Sequence, residues 1–70
     1  MTGTIVRLKL DKGFGFIARS GEPEALFFHV HALQGGLLWD EALLERRVSF
    51  DMGKGRDGRP RAEFVRPIED

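Results

Sequence analysis

The sequence predicts an all-β protein, a small closed five-stranded antiparallel barrel occupying residues 1–70 as one domain. Three observations carry this. Runs rich in β-branched, aromatic and leucine side chains alternate with turn chemistry five times along the chain. Only one stretch, Leu37–Arg47, has helical spacing, and it is short. Seventy residues leave no room for two packed sheets, so the strands must close on themselves to bury a core.

The first strand is expected over Gly3–Leu10, and Asp11-Lys12-Gly13 is turn chemistry. Phe14–Arg19 makes the second strand. Ser20–Glu24 is a polar turn whose Pro23 could not donate to a central ladder. The third strand runs Ala25–Val30, and Gly35-Gly36 breaks the segment after it. Leu37–Arg47 (LLWDEALLERR) reads as a loop holding a helical turn, with Leu38, Ala42 and Glu45 at helical spacing and Asp40 as its cap. Val48–Met52 is the fourth strand, Gly53–Gly58 a basic turn, and Arg61–Val65 the fifth.

Composition narrows the function. A chain this short buries only roughly 60% of the surface it exposes when unfolded, so the core is small. There is no cysteine, hence no disulfide and no thiolate-held metal. No segment approaches the roughly 18 apolar residues of a membrane span, and the N-terminus has no apolar leader core. A cytoplasmic protein with no membrane partner is expected. The formal net charge is zero, which argues against adhesion to nucleic acid by bulk charge alone. The charge is nevertheless segregated. Residues 1–19 carry four basic and one acidic side chain, and 46–66 carry seven and three, whereas 20–45 hold five acids and no Lys or Arg.

The stretch Lys12-Gly-Phe-Gly-Phe-Ile17 poses the functional question, because period-2 spacing puts Phe14 and Phe16 on one side of a strand. In the third strand, Leu26, Phe28 and Val30 share a side, with Phe27 and His29 opposite. The wholly apolar set, Ile17, Leu26, Phe28 and Val30, belongs inside. His29 belongs on the wet side, since burying an imidazole without partners is costly, and Phe27 goes with it. Pairing strands two and three then gathers Phe14, Phe16, Phe27 and His29 into one exposed patch beside Arg7, Lys9 and Lys12. Exposed rings next to cations suit stacked bases and their phosphates.

Other motifs carry less. Gly53-Lys-Gly-Arg-Asp-Gly58 fits GxGxxG, but Arg59-Pro60 follows where a helix would have to open. Lys54, Arg56 and Arg59 make better sense as a phosphate-tracking edge. His29 and His31 form an H-x-H pair without the further ligands a zinc site needs. Neither Ser20 nor Ser49 has a sequence sign of an activating base, so no enzyme, cofactor, metal or small-molecule substrate is expected.

At these residues the chain resembles the bacterial cold-shock proteins and the cold-shock domain generally. Gly3-Thr-Ile-Val6, Lys12–Ile17 and Leu26-Phe-Phe-His29 match the family's first strand and two ribonucleoprotein motifs. Ala32-Leu-Gln-Gly35, Val48-Ser-Phe50, Gly58-Arg-Pro-Arg-Ala62 and Val65 match its later landmarks in order. The resemblance spans nearly the whole chain. It implies an OB-fold barrel that binds single-stranded RNA or DNA with little sequence preference, as an RNA chaperone or a regulator of transcription or translation. Carried over by position, Phe14, Phe16, Phe27 and His29 stack bases and Lys12 contacts phosphate. Lys9, Arg56 and Arg59 are expected along the phosphate path from their charge, not from the family pattern. There are departures. Val6-Arg-Leu-Lys9 stands where the family usually reads Lys-Trp-Phe-Asn, so Arg7 replaces a stacking Trp. Val30 and His31 stand where Phe and Ser are usual, Phe28 and Phe64 replace smaller or polar residues, and Trp39, although offset, is expected to supply the family's loop aromatic as a further stacking ring. Arg7 can still stack its guanidinium on a base. The alternative is a degenerate barrel, weak toward nucleic acid, acting as a protein-interaction module through the Phe patch or Leu37, Leu38 and Trp39. A monomer is expected, with strand exchange through the long loop as the other arrangement.

Overall fold

The computed structural model describes residues 1–68. Five strands, β1 (Thr2–Lys9), β2 (Phe14–Ala18), β3 (Leu26–His29), β4 (Arg47–Lys54) and β5 (Pro60–Pro67), close into a barrel in the order β1-β2-β3-β5-β4. This is the architecture expected of an OB-fold. Four of the five strand contacts are antiparallel, and the fifth, β3 on β5, is parallel through Phe28 and Ala62. The barrel is therefore mixed at its closure, which a count of strands along the chain does not reveal.

Alternation sets the interior. Burial along β2 and β3 switches residue by residue, so Gly15, Ile17, Leu26 and Phe28 point in. Ile17, Leu26 and Phe28 join Ile5, Leu43, Val48, Phe50, Ala62 and Val65 in a core whose members are 0–2% exposed. Gly15 is required there. A Cβ at this position would lie 2.8 Å from the Phe28 ring and 2.7 Å from the Arg7 carbonyl oxygen, so the glycine is what lets Phe28 lie across the barrel floor.

Strand β3 is shorter than expected. The chain leaves the sheet after His29 into a 3-10 turn over Val30–Ala32, and Val30 is half-buried rather than part of the core. The loop before β4 holds the anticipated helical turn as a 3-10 turn at Glu41–Leu43, and the Asp40 carboxylate accepts from the Ala42 backbone N–H at 2.8 Å. Its inward residue is Leu43, whereas Leu38 is 72% exposed, because a three-residue turn cannot carry the spacing of a longer helix. Strand β4 runs on through Lys54, which reduces the basic turn to Gly55–Arg59.

Two bulges adjust the register. Ile5 faces Ile17 and Arg7 faces Phe16, so Val6 is an extra residue in β1. On the other side, Ser49 faces Arg66 and Asp51 faces Glu63, which places an extra residue in β5 next to Phe64.

Candidate nucleic-acid interface

The β1 bulge decides what the functional face contains. By simple alternation Ile5, Arg7 and Lys9 would share a side, and Ile5 is fully buried. The extra residue at Val6 reverses the phase. Arg7 becomes the cross-strand partner of Phe16 and Lys9 that of Phe14, with both basic side chains exposed, while Leu8 opposite Gly15 turns toward the core.

On the same face, Phe14 pairs with His29 and Phe16 with Phe27 across β2 and β3. The three phenylalanines form one cluster. Phe14 and Phe27 have ring centroids 5.5 Å apart with a 34° tilt, and Phe16 meets them edge-on at 5.9 and 6.0 Å. All three are half-buried, so part of each ring is packed and part is open to solvent. His29 is held from behind, its Nδ1 accepting the His31 backbone N–H at 3.2 Å. Lys12 is exposed at the end of the β1–β2 hairpin, next to this cluster in the chain.

A groove of about 920 Å³ separates the aromatic face from the β4–β5 turn. Phe16, Phe27 and His29 line one wall, and Arg56 and Arg59 the other. Arg59 also reaches Asp57 at 3.5 Å, an exposed pair that competes only weakly with a phosphate. Sequence reasoning missed Arg19 and Arg61, which line the same groove. Arg19 was hidden by alternation, which put it on the side of Ile17. The strand ends one residue earlier, at Ala18, and frees it to turn. Among the described residues its Nε has no hydrogen-bond partner, although it is buried. Arg19, Arg56 and Arg59 against Glu24 and Asp57, with Arg61 paired to Glu63, leave the groove locally basic in a chain of zero net charge. The segregated charge thus converges at the rings.

Trp39 is placed apart. Its indole N–H donates to the Leu10 carbonyl at 3.2 Å, and its ring packs edge-on against Phe28 at 6.1 Å. It anchors the β3–β4 loop beside Asp40 and Glu41. Among the described residues no three His, Cys, Asp or Glu side chains converge as metal ligands would.

A face of this kind offers π-surfaces for bases and a cationic wall for phosphates. Compared with curated proteins, the chain has no significant match. Compared with protein families, residues 1–68 match the 'Cold-shock' DNA-binding domain. That match runs from β1 through the end of β5, so the barrel and its aromatic face lie within a single family unit, and the chain belongs to the cold-shock domain family.

Proposed function

We propose that this protein binds single-stranded RNA or DNA with little sequence preference, stacking bases on Phe14, Phe16, Phe27 and His29. Phosphates run past Arg7, Lys9 and Lys12 on one side and Arg56 and Arg59 on the other. The observation that carries the proposal is the three-ring cluster left open to solvent beside a basic groove. The family is a nucleic-acid-binding one. A ring face accepts any base, at about 1–3 kcal/mol per stacked base, which is why low specificity accompanies this design. A base lying on these rings is unavailable for pairing. The protein therefore acts as a chaperone that opens RNA hairpins without consuming ATP, or as a regulator that holds a transcript single-stranded. Its place of action is the cytoplasm. No helix among the described residues is long and apolar enough to cross a membrane.

Titration of a labelled oligothymidylate and a mixed-sequence strand at low and moderate salt tests this. Binding to both, weakening steeply with salt, is the expected outcome, because single strands release about 0.7 counterions per phosphate contact. No binding to either at low salt refutes it.

A second reading has one observation in its favour. Leu38 is 72% and Leu44 49% exposed on the β3–β4 loop, an apolar pair suited to a protein partner. That contact would be nearly indifferent to salt.

A further inference from the structure

The aromatic track does not end at His29. The chain turns there into the Val30–Ala32 turn, and the hydrogen bond from the His31 backbone N–H to His29 Nδ1 brings the two imidazoles together. They stack, with centroids 4.8 Å apart and planes 25° from parallel. His31 is exposed. Beyond it lies a cleft of about 490 Å³ between this turn and β5, lined by His29, His31, Gln34, Arg61, Glu63 and Phe64.

Phe64 is the unexpected member. It has a φ of 53°, in the left-handed region that bulky L-residues avoid, and the residue is 50% exposed. The Arg66 guanidinium donates to the Phe64 carbonyl at 2.7 Å and helps hold this conformation. A ring half in water recovers little burial for such a backbone. The β5 bulge accounts for this backbone, and a large ring kept half in water on it points to use of the side chain rather than to packing.

We propose that this cleft is an additional nucleobase subsite, with His31 and Phe64 as its ring contacts. It takes a base of the same single strand that lies on Phe14, Phe16, Phe27 and His29, and so rests on the function proposed above. Continuity and charge favour this occupant. His29 and Arg61 line both the basic groove and this cleft, so a strand leaving one enters the other. Inside the cleft the Arg61 guanidinium is paired with the Glu63 carboxylate at 3.2 Å. A phosphate therefore finds no net positive charge there, whereas a flat uncharged base finds two aromatic side chains. The exposed Gln34 amide adds a donor and an acceptor for the base edge. The volume falls within the range of about 300–1,000 Å³ usual for small-ligand clefts.

The test uses the whole chain and a ladder of oligothymidylates lengthened one nucleotide at a time. Wild type, Phe64→Asn, His31→Ser and Phe27→Ala are compared by anisotropy, with thermal unfolding of each. Asparagine tolerates the left-handed backbone, so Phe64→Asn stays folded, and His31→Ser keeps the backbone N–H that His29 Nδ1 accepts while removing the exposed ring stacked on His29. Phe64→Asn and His31→Ser are expected to match wild type on short strands. Each then lacks the last gain in affinity with length, a deficit of about five-fold or more if one stacked base is lost. Phe27→Ala weakens every length. If Phe64→Asn and His31→Ser follow wild type at all lengths while Phe27→Ala is weakened, the subsite is refuted and the stacking face stands. If wild type binds no strand, the function proposed above fails and the subsite fails with it.

Discussion

Phe27→Ala separates base stacking from every other contribution to binding. The Phe27 side chain is half-buried and lies 5.5 Å from Phe14 and 6.0 Å from Phe16, while its neighbours in sequence, Leu26 and Phe28, face the core. Truncation removes two ring pairs worth about 0.5–1.5 kcal/mol each, so the fold loses about 1–3 kcal/mol. A 70-residue domain with roughly 0.05–0.15 kcal/mol of stability per residue tolerates that loss at low temperature. Affinity should fall by about 1–3 kcal/mol, a rise in Kd of about five- to 150-fold, for one stacked base. The assay is anisotropy of a labelled oligothymidylate at 10 or so degrees below the onset of unfolding, repeated over a salt series. Because Phe27 touches no phosphate, the whole curve of log affinity against log salt should drop with its slope unchanged. A folded variant with wild-type affinity, or one whose slope flattens, would refute the stacking argument.

The other predictions concern the cations, the floor and the loop. Replacing both Arg56 and Arg59 with Ala should do the reverse of Phe27→Ala, flattening the salt slope by about 1.4 if each touches one phosphate, which the same titration reads. Gly15→Ala should destabilise by about 1–3 kcal/mol in urea unfolding, since its Cβ meets the Phe28 ring and the Arg7 carbonyl below 3 Å; wild-type stability would refute the close approach. Trp39→Phe removes the indole hydrogen bond to Leu10 and should cost about 0.5–1.5 kcal/mol in the same experiment while leaving oligonucleotide affinity within two-fold or so.

The grouping of Phe14, Phe16, Phe27 and His29 was legible in the sequence. Side chains alternate along any strand, so one apolar set, Ile17, Leu26 and Phe28, is enough to send the other set outward. The Asp40 cap and the turn it starts were legible for the same reason, since both are settled within a few residues. The local turn chemistry also located all five strands, if not their ends: Val30 has the residue type of a strand, yet it leaves the sheet because His29 caps a turn there.

What tertiary structure alone decided lies where distant segments meet. The extra residue at Val6 exists only relative to β2, and it turns Arg7 and Lys9 from the side of Ile5 to the side of Phe16 and Phe14. The parallel contact of Phe28 with Ala62 joins strands separated by the whole β3–β4 loop and β4. That closure swings Arg56, Arg59 and Arg61 across from the rings, and it brings Phe64 to the cleft that His31 also lines. Alternation is a property of the covalent backbone and shows in any short window of residues. Bulges and barrel closure are set by which partner strand is available to satisfy hydrogen bonds and bury side chains, and that is fixed only when the five strands pack together.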